Sequence, residues 1–236
     1  MLGGMKISVI NQTARVGAVE LEVMCRALTV QAAQFCGEWD RIPAQVVPAE
    51  KMPEQGAVIL LQERLDNPDL LGVHAEEAGR YVGRVSIDAV LEAGGGVLSS
   101  SSGGPSVSSV LSHEVLEILG DANGETWVSG PEVEQGAEYA LEVCDPVQAS
   151  YYEVEGAPGV PVQVSNFLVP AWFEQSTTSD FMDWLLLLTK PFTLAPGGYM
   201  IVRRIGDGGS VTASLRTAPA APEKRAGCRA SRRMGC

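Results

Sequence analysis

Ser112-His113-Glu114-Val115-Leu116-Glu117-Ile118-Leu119-Gly120-Asp121 is the stretch on which the reading of this chain turns. Val110, Leu111, Val115, Leu116, Ile118 and Leu119 make a helix through this region apolar almost all round, with His113, Glu114 and Glu117 as its ionisable exceptions. Such a helix is largely buried. Burying charged groups costs several kcal/mol each unless they are paired or bound to a metal, so the three residues call for one of those two explanations.

On a helix, residues four apart are separated by about 40° and residues eight apart by about 80°, so His113, Glu117 and Asp121 share one arc while Glu114 stands about 100° from His113. The His-Glu-x-x-His signature uses this spacing to hold zinc between two imidazoles, with the intervening Glu activating a water. Here Glu117 replaces the second His. Only two histidines are present, His74 and His113, so no three-imidazole site can form and carboxylates must do most of the holding. His113, Glu117 and Asp121 are therefore candidate ligands for zinc or another divalent cation, and Glu114 is the candidate general base. Oxygen-rich ligands also suit harder ions such as Mn²⁺ or Ca²⁺. A metal-free His–Glu hydrogen-bond network is the competing explanation.

In the longer form of the signature, His-Glu-x-x-His-x-x-Gly-x-x-His, Gly120 takes the glycine position and Asn123 the third ligand, for which its amide is poorly suited. Besides Asp121, Glu142 and Asp145 are candidates for the third ligand or for an outer partner of His113. His74 reads as a substrate-orienting residue, a residue approaching the metal from a neighbouring strand or loop, or a surface or satisfied histidine, and Tyr199 as a donor to an oxyanion, although its spacing demands no such role. Trp172 and Phe173 read as core, a cleft wall or a binding surface.

Working outward, Ser106 or Ser108 caps the helix, which runs to about Leu119 with Gly120 as its stop. The Gly/Ser-rich stretch 94–109 before it reads as a flexible loop or a glycine-rich approach to a site. Strands are expected at 6–11, 44–47, 57–62 and 80–87, with 64–72 as a loop. A long amphipathic helix is expected over 16–39, with Val19, Val23, Ala27 and Val30 on its apolar stripe. Downstream, 140–144 is extended, 151–154 pairs with 160–167 as a hairpin, and 179–188 forms a short helix. This order predicts an α+β fold: a mixed β-sheet, a long N-terminal helix, a central metal-motif helix and an irregular C-terminal half. Residues 1–200 form the domain, and 201–236 an extension ending in a basic, flexible tail.

With 236 residues, 45% of them hydrophobic, the chain can bury one substantial core. Its net charge of −12 is uneven: residues 216–236 carry six Lys or Arg against Glu223, a net +5 that leaves −17 on the rest. An acidic body disfavours nucleic-acid binding by the folded domain and is compatible with binding cations. The tail reads as solvated and disordered, or as a docking segment for an acidic partner. Five cysteines, Cys25, Cys36, Cys144, Cys228 and Cys236, form no Cys-x-x-Cys pair, which predicts reduced thiols and no structural zinc site. No apolar run is long enough to span a bilayer, and residues 1–6 lack the basic start and apolar segment of a secretory signal, so a cytoplasmic or virion-associated location and no membrane association are expected.

The helix and the β-rich half before it, roughly residues 5–121, resemble the zincin metallopeptidase fold. More of the chain is similar to a group of uncharacterised proteins from tailed bacteriophages and bacteria. The resemblance lies in Val9-Ile10-Asn11-Gln12, Gly72-Val73-His74, Ser112-His113-Glu114-Val115-Leu116-Glu117 and Glu142-Val143-Cys144-Asp145-Pro146-Val147. It continues in Ser165-Asn166-Phe167, Pro170-Ala171-Trp172-Phe173 and Pro196-Gly197-Gly198-Tyr199-Met200, so it spans most of residues 5–200. It implies a zincin-like, phage-encoded domain of unsettled activity, for which a metallohydrolase acting on a peptide or protein substrate is the first reading. Two departures stand against the peptidase pattern: Glu117 in place of the second His, and no clear Met-turn beyond the candidates Met182 and Met200. The alternative is an inactive zincin-like scaffold serving as a virion component, with the basic tail contacting neighbouring subunits.

Overall fold

The computed structural model describes residues 4–131, 136–205 and 211–218. The α+β expectation holds. Strands β1 (Lys6–Asn11), β2 (Gln45–Ala49), β3 (Ala57–Gln62), β4 (Gly72–Glu77) and β5 (Arg80–Ser86) form one mixed sheet in the order β2-β1-β3-β5-β4. All neighbours are parallel except β4, which runs antiparallel along the edge beside β5. β1 buries Ile7 to Ile10 and β3 buries Ala57 to Leu61 without alternation, as apolar runs do when both sheet faces are covered.

Between β1 and β2 runs α1 (Ala18–Glu38), opened by the Glu20 carboxylate accepting the Gly17 N–H at 2.8 Å. Its buried face is Leu21, Met24, Ala27, Leu28, Gln31, Ala32 and Phe35, with Val23 beside them. Val19 and Val30, expected on the stripe, are instead 75% and 47% exposed. The stripe follows the larger Leu, Met and Phe side chains, which bury more apolar area than Val.

Neither β4 nor the short α2 (Ile87–Glu92) was signalled by the sequence pattern. β4 is Gly-Val-His-Ala-Glu-Glu, poor in the β-branched and aromatic residues that mark strands. It joins β5 through a two-residue turn in which Ala78 and Gly79 both take positive φ, 49° and 77°. That is the turn geometry that matches strand twist, here with Ala where Asn or Asp is the usual signal.

The central helix α3 (Val107–Asp121) starts where Ser106 predicts. Ser106 Oγ accepts the Ser109 N–H at 3.1 Å, and Ser109 Oγ accepts the Ser106 N–H at 2.8 Å. Gly120 lies inside the helix and is not its stop. A Cβ there would come within 2.8 Å of Val143 Cγ1, so glycine lets the 141–145 segment lie against the helix. The preceding Gly/Ser stretch is tied down: Gly96 O accepts from Val107 N at 2.9 Å, and Leu98 O accepts from Gln163 N at 2.8 Å.

The C-terminal half is more regular than expected. β8 (Tyr151–Ala157) and β9 (Val160–Ser165) make the predicted hairpin, which packs on α1 and α3. β6 (Trp127–Ser129), β7 (Ala137–Ala140), β10 (Tyr199–Ile205) and β11 (Val211–Thr217) form a second sheet in the order β11-β10-β7-β6. β10 crosses the domain boundary expected at residue 200. Arg216, counted with the tail, pairs with Met200 in this sheet, and its guanidinium lies 5.9 Å from the Tyr139 ring centroid. The rest of the tail, 219–236, lies outside the described residues. Trp172 and Phe173 are core, packed with Tyr139, Met182, Phe192 and Met200. No helix among the described residues is long and apolar enough to cross a membrane.

Residues 179–188 do not form the expected helix. Asp183 is fully buried, where it accepts from Asn166 Nδ2 at 2.7 Å and from the backbone N–H groups of Leu185, Leu187 and Leu188 at 3.1, 2.9 and 2.7 Å. One carboxylate replaces the carbonyls that a helix would have offered those donors. Asp183→Ala strands the donors in an apolar interior and is expected to cost at least about 3 kcal/mol of stability by chemical denaturation.

Candidate metal centre

α3 carries His113, Glu114 and Glu117 into the interior because all fifteen of its residues are buried. It is clamped laterally, Ser112 Oγ accepting from Ser165 N at 2.7 Å and Ser108 Oγ donating to Gln163 O at 2.7 Å. At the C-terminal end, Arg41 Nη1 donates to Leu119 O at 2.6 Å, placing a cation where the helix dipole favours one.

Edge strand β4 lies along α3. Gly72 and His74, two residues apart, face the same way. A side chain at Gly72 would collide with Glu114 Oε1 and stand 2.9 Å from Val110 Cγ1, so glycine leaves room for the Glu114 carboxylate. His74 Nδ1 lies 3.2 Å from Glu114 Oε2 and 3.2 Å from Glu117 Oε2.

The other Glu117 oxygen turns to the second imidazole: His113 Nε2 is 3.0 Å from Glu117 Oε1 and 3.2 Å from Asp145 Oδ1. Asp145 opens a 3-10 turn, Asp145–Val147, in the segment that Gly120 admits to the helix. The Tyr199 hydroxyl donates to the Asp145 carboxylate. His74, His113, Glu114, Glu117, Glu142, Asp145 and Tyr199 are each at most 3% exposed.

Of the residues predicted from sequence, six therefore converge: His113, Glu114, Glu117 and Asp145, with His74 and Tyr199 contacting them. Glu142 is buried close enough to Tyr199 for its charge to act on the hydroxyl. Asp121 does not join them. Its Oδ2 accepts the Thr126 N–H at 2.7 Å, closing the turn after the helix. Sharing an arc with His113 was not sufficient, since eight residues rise about 12 Å along a helix, too far for both to ligate one ion.

Ligand atoms bound to one zinc at about 2.0–2.2 Å stand roughly 2.9–3.5 Å apart, the range in which the His113–Glu117 and His113–Asp145 separations fall. Hydrogen bonds span similar distances, so direction decides. His113 Nε2, Glu117 Oε1 and Asp145 Oδ1 are all buried, and none has a hydrogen-bond partner. The two oxygens stand at ion-pair distance from the imidazole, and a divalent cation beside a neutral His113 fits the set. The chain matches no family model, no curated protein and no solved structure. The chemistry is accordingly argued from this geometry.

Without a cation the cluster must supply its own positive charge. Burial pushes Asp145 up to about 7, with the Glu117 charge adding to it, and burial also raises Glu114 against the opposing pull of His74 and His113. Burial alone would lower His113, but Glu117 and Asp145 carry it well above 6.5. Burial would raise Glu117, yet the two imidazoles outweigh it and hold this carboxyl below its ordinary value.

These shifts set a pH dependence for the metal-free protein. Between 3.8 and about 7, folded Asp145 keeps a proton that the unfolded chain releases, so its contribution to stability is present at low pH and lost as pH rises through 7. Raised His113 acts in the same direction from 6.5 upward, whereas lowered Glu117 contributes above 4.5 and is lost only as pH falls below that value. Chelator-treated protein is expected to lose thermal stability from about pH 5 to about pH 8, and Asp145→Asn to flatten that slope. Added cation reverses the trend, because metal and protons compete for the same atoms.

Proposed function

We propose that this chain is a zincin-like metallohydrolase of peptidase type that holds a divalent cation, zinc foremost, through His113 Nε2, Glu117 Oε1 and Asp145 Oδ1. The observation that carries this reading is the convergence of those three buried atoms with no hydrogen bond among them. The mixed sheet, the long α1 and the central motif helix α3 agree with the architecture expected from the sequence.

When bound, such a cation would polarise a scissile carbonyl and lower the pKa of water towards 7. Glu114 accepts the proton of the attacking water and returns it to the leaving amine, a role suited to a carboxyl that burial has raised above its ordinary value. His74 Nδ1 holds Glu114 Oε2 in place, and Gly72 leaves space for Oε1. Tyr199 is committed to Asp145, so it is a positioning residue for the third ligand, in place of the oxyanion donor expected from sequence.

The test is hydrolysis of a fluorogenic peptide library by the full chain, before and after chelation and zinc restoration. Cleavage that is lost and regained with metal supports the reading; metal-independent cleavage overturns it. One observation favours a second reading. Every side chain of the cluster is at most 3% exposed, which suits a scaffold or virion protein that uses a buried ion for stability without turnover. Stoichiometric zinc with no cleavage of any library member selects that reading.

A further inference from the structure

Glu117 faces two imidazoles with its two oxygens, and each pairing is completed by a different carboxylate. His113, Glu117 and Asp145 make one group of converging ligand atoms; His74, Glu114 and Glu117 make another. We infer that the centre has a second cation subsite formed by His74 Nδ1, Glu114 and Glu117 Oε2, with Glu117 bridging two ions through its two oxygens.

The argument begins with protons. His74 Nδ1 carries at most one hydrogen, yet two carboxylate oxygens, Glu114 Oε2 and Glu117 Oε2, both stand 3.2 Å from it. One N–H shared between two oxygens at 3.2 Å makes two weak bonds and gives neither carboxylate a full partner. A cation approached by Nδ1 and both oxygens satisfies all three, and these separations are again those of ligands on a single ion. Glu114 Oε1 is itself buried without a hydrogen-bond partner, so this carboxylate is not fully satisfied by His74.

Charge points the same way. Three buried carboxylates, Glu114, Glu117 and Asp145, stand against the two imidazoles, with Glu142 buried near Tyr199. One divalent cation beside neutral histidines leaves the three at −1, and the Glu142 charge adds to the deficit that a second cation would offset. A carboxylate whose two oxygens reach separate ions suits a pair about 3.5–4 Å apart, the spacing of two-metal hydrolytic sites.

The inference rests on the first site of the proposed function and extends it. With one ion bound, Glu114 is available for proton transfer. With two, its lone pairs are engaged and it can no longer act as base. The second ion therefore inhibits, and excess zinc acts as a regulator of the same centre.

The experiment is a zinc titration of the chelated full-length chain, counting bound ions by elemental analysis after gel filtration. The wild type is expected to saturate at two ions, His74→Ala and Asp145→Ala at one each, and Glu117→Ala at none. Glu114→Gln, which preserves shape and polarity, is expected to weaken the second ion at least tenfold and spare the first, and it serves if His74→Ala fails to fold. Cobalt substitution gives an independent readout, since two bridged ions show magnetic coupling that one cannot. A wild type that saturates at one ion, still bound by His74→Ala, overturns the second subsite and leaves the proposed function standing. Binding of no ion at all overturns both.

Discussion

Glu117→Ala is expected to abolish metal binding by the chain. Glu117 supplies the oxygen 3.0 Å from His113 Nε2 and, through its other oxygen, stands 3.2 Å from His74 Nδ1, so both imidazoles lose their common partner. Loss of an outer-shell partner alone typically weakens metal binding 10–100-fold, so removing a direct ligand should exceed about 100-fold. The fold is expected to survive better than the site, because His113, Glu114 and Asp145 can still share protons within the cluster. Competition against a chromophoric zinc chelator measures the effect; unchanged affinity would mean that the ion sits elsewhere.

Glu114→Gln is expected to lower turnover by about 10²–10⁴-fold while the first ion stays bound. The amide has nearly the shape of the carboxylate and can still meet His74, but it cannot accept a proton. Glu114 is not among the three unpartnered atoms around His113, which is why metal content and activity should separate in this variant. Loss of the first ion together with activity would make Glu114 a ligand of that ion and would remove it as the base.

Much of this was legible in the chain. The apolar run around His113 predicts a buried helix, Ser106 predicts its start, and the shortage of histidines predicts a carboxylate-rich set. Asp145 was in view as a candidate because it follows Glu142 in a short acidic segment. What sequence reasoning missed has identifiable causes. The β4–β5 hairpin is encoded by Ala78-Gly79 and a strand with Ala and two Glu, so nothing placed His74 over the helix. Hence His74 read as a substrate contact, an approach to the metal from a neighbouring strand or loop, or a satisfied histidine, with no way to choose among them. Asp121 was favoured by angle around the helix with no account of rise along it. Gly120 was read as a helix stop, whereas it provides the space through which the Asp145 segment reaches the site. The 179–188 segment resembled a helix because Ser179 or Asp180 could cap it; Asp183, inside the segment, instead gathers backbone donors around a buried anchor.

The central claim is that His113, Glu117 and Asp145, and not Asp121, hold a metal ion. Elemental analysis of the purified chain beside its Asp145→Asn and Asp121→Asn variants tests this most directly. The account predicts at least one equivalent of a divalent metal in the wild type and in Asp121→Asn, and one equivalent less than the wild type in Asp145→Asn. A wild type without metal, or an Asp145→Asn variant that retains as much as the wild type, would contradict it.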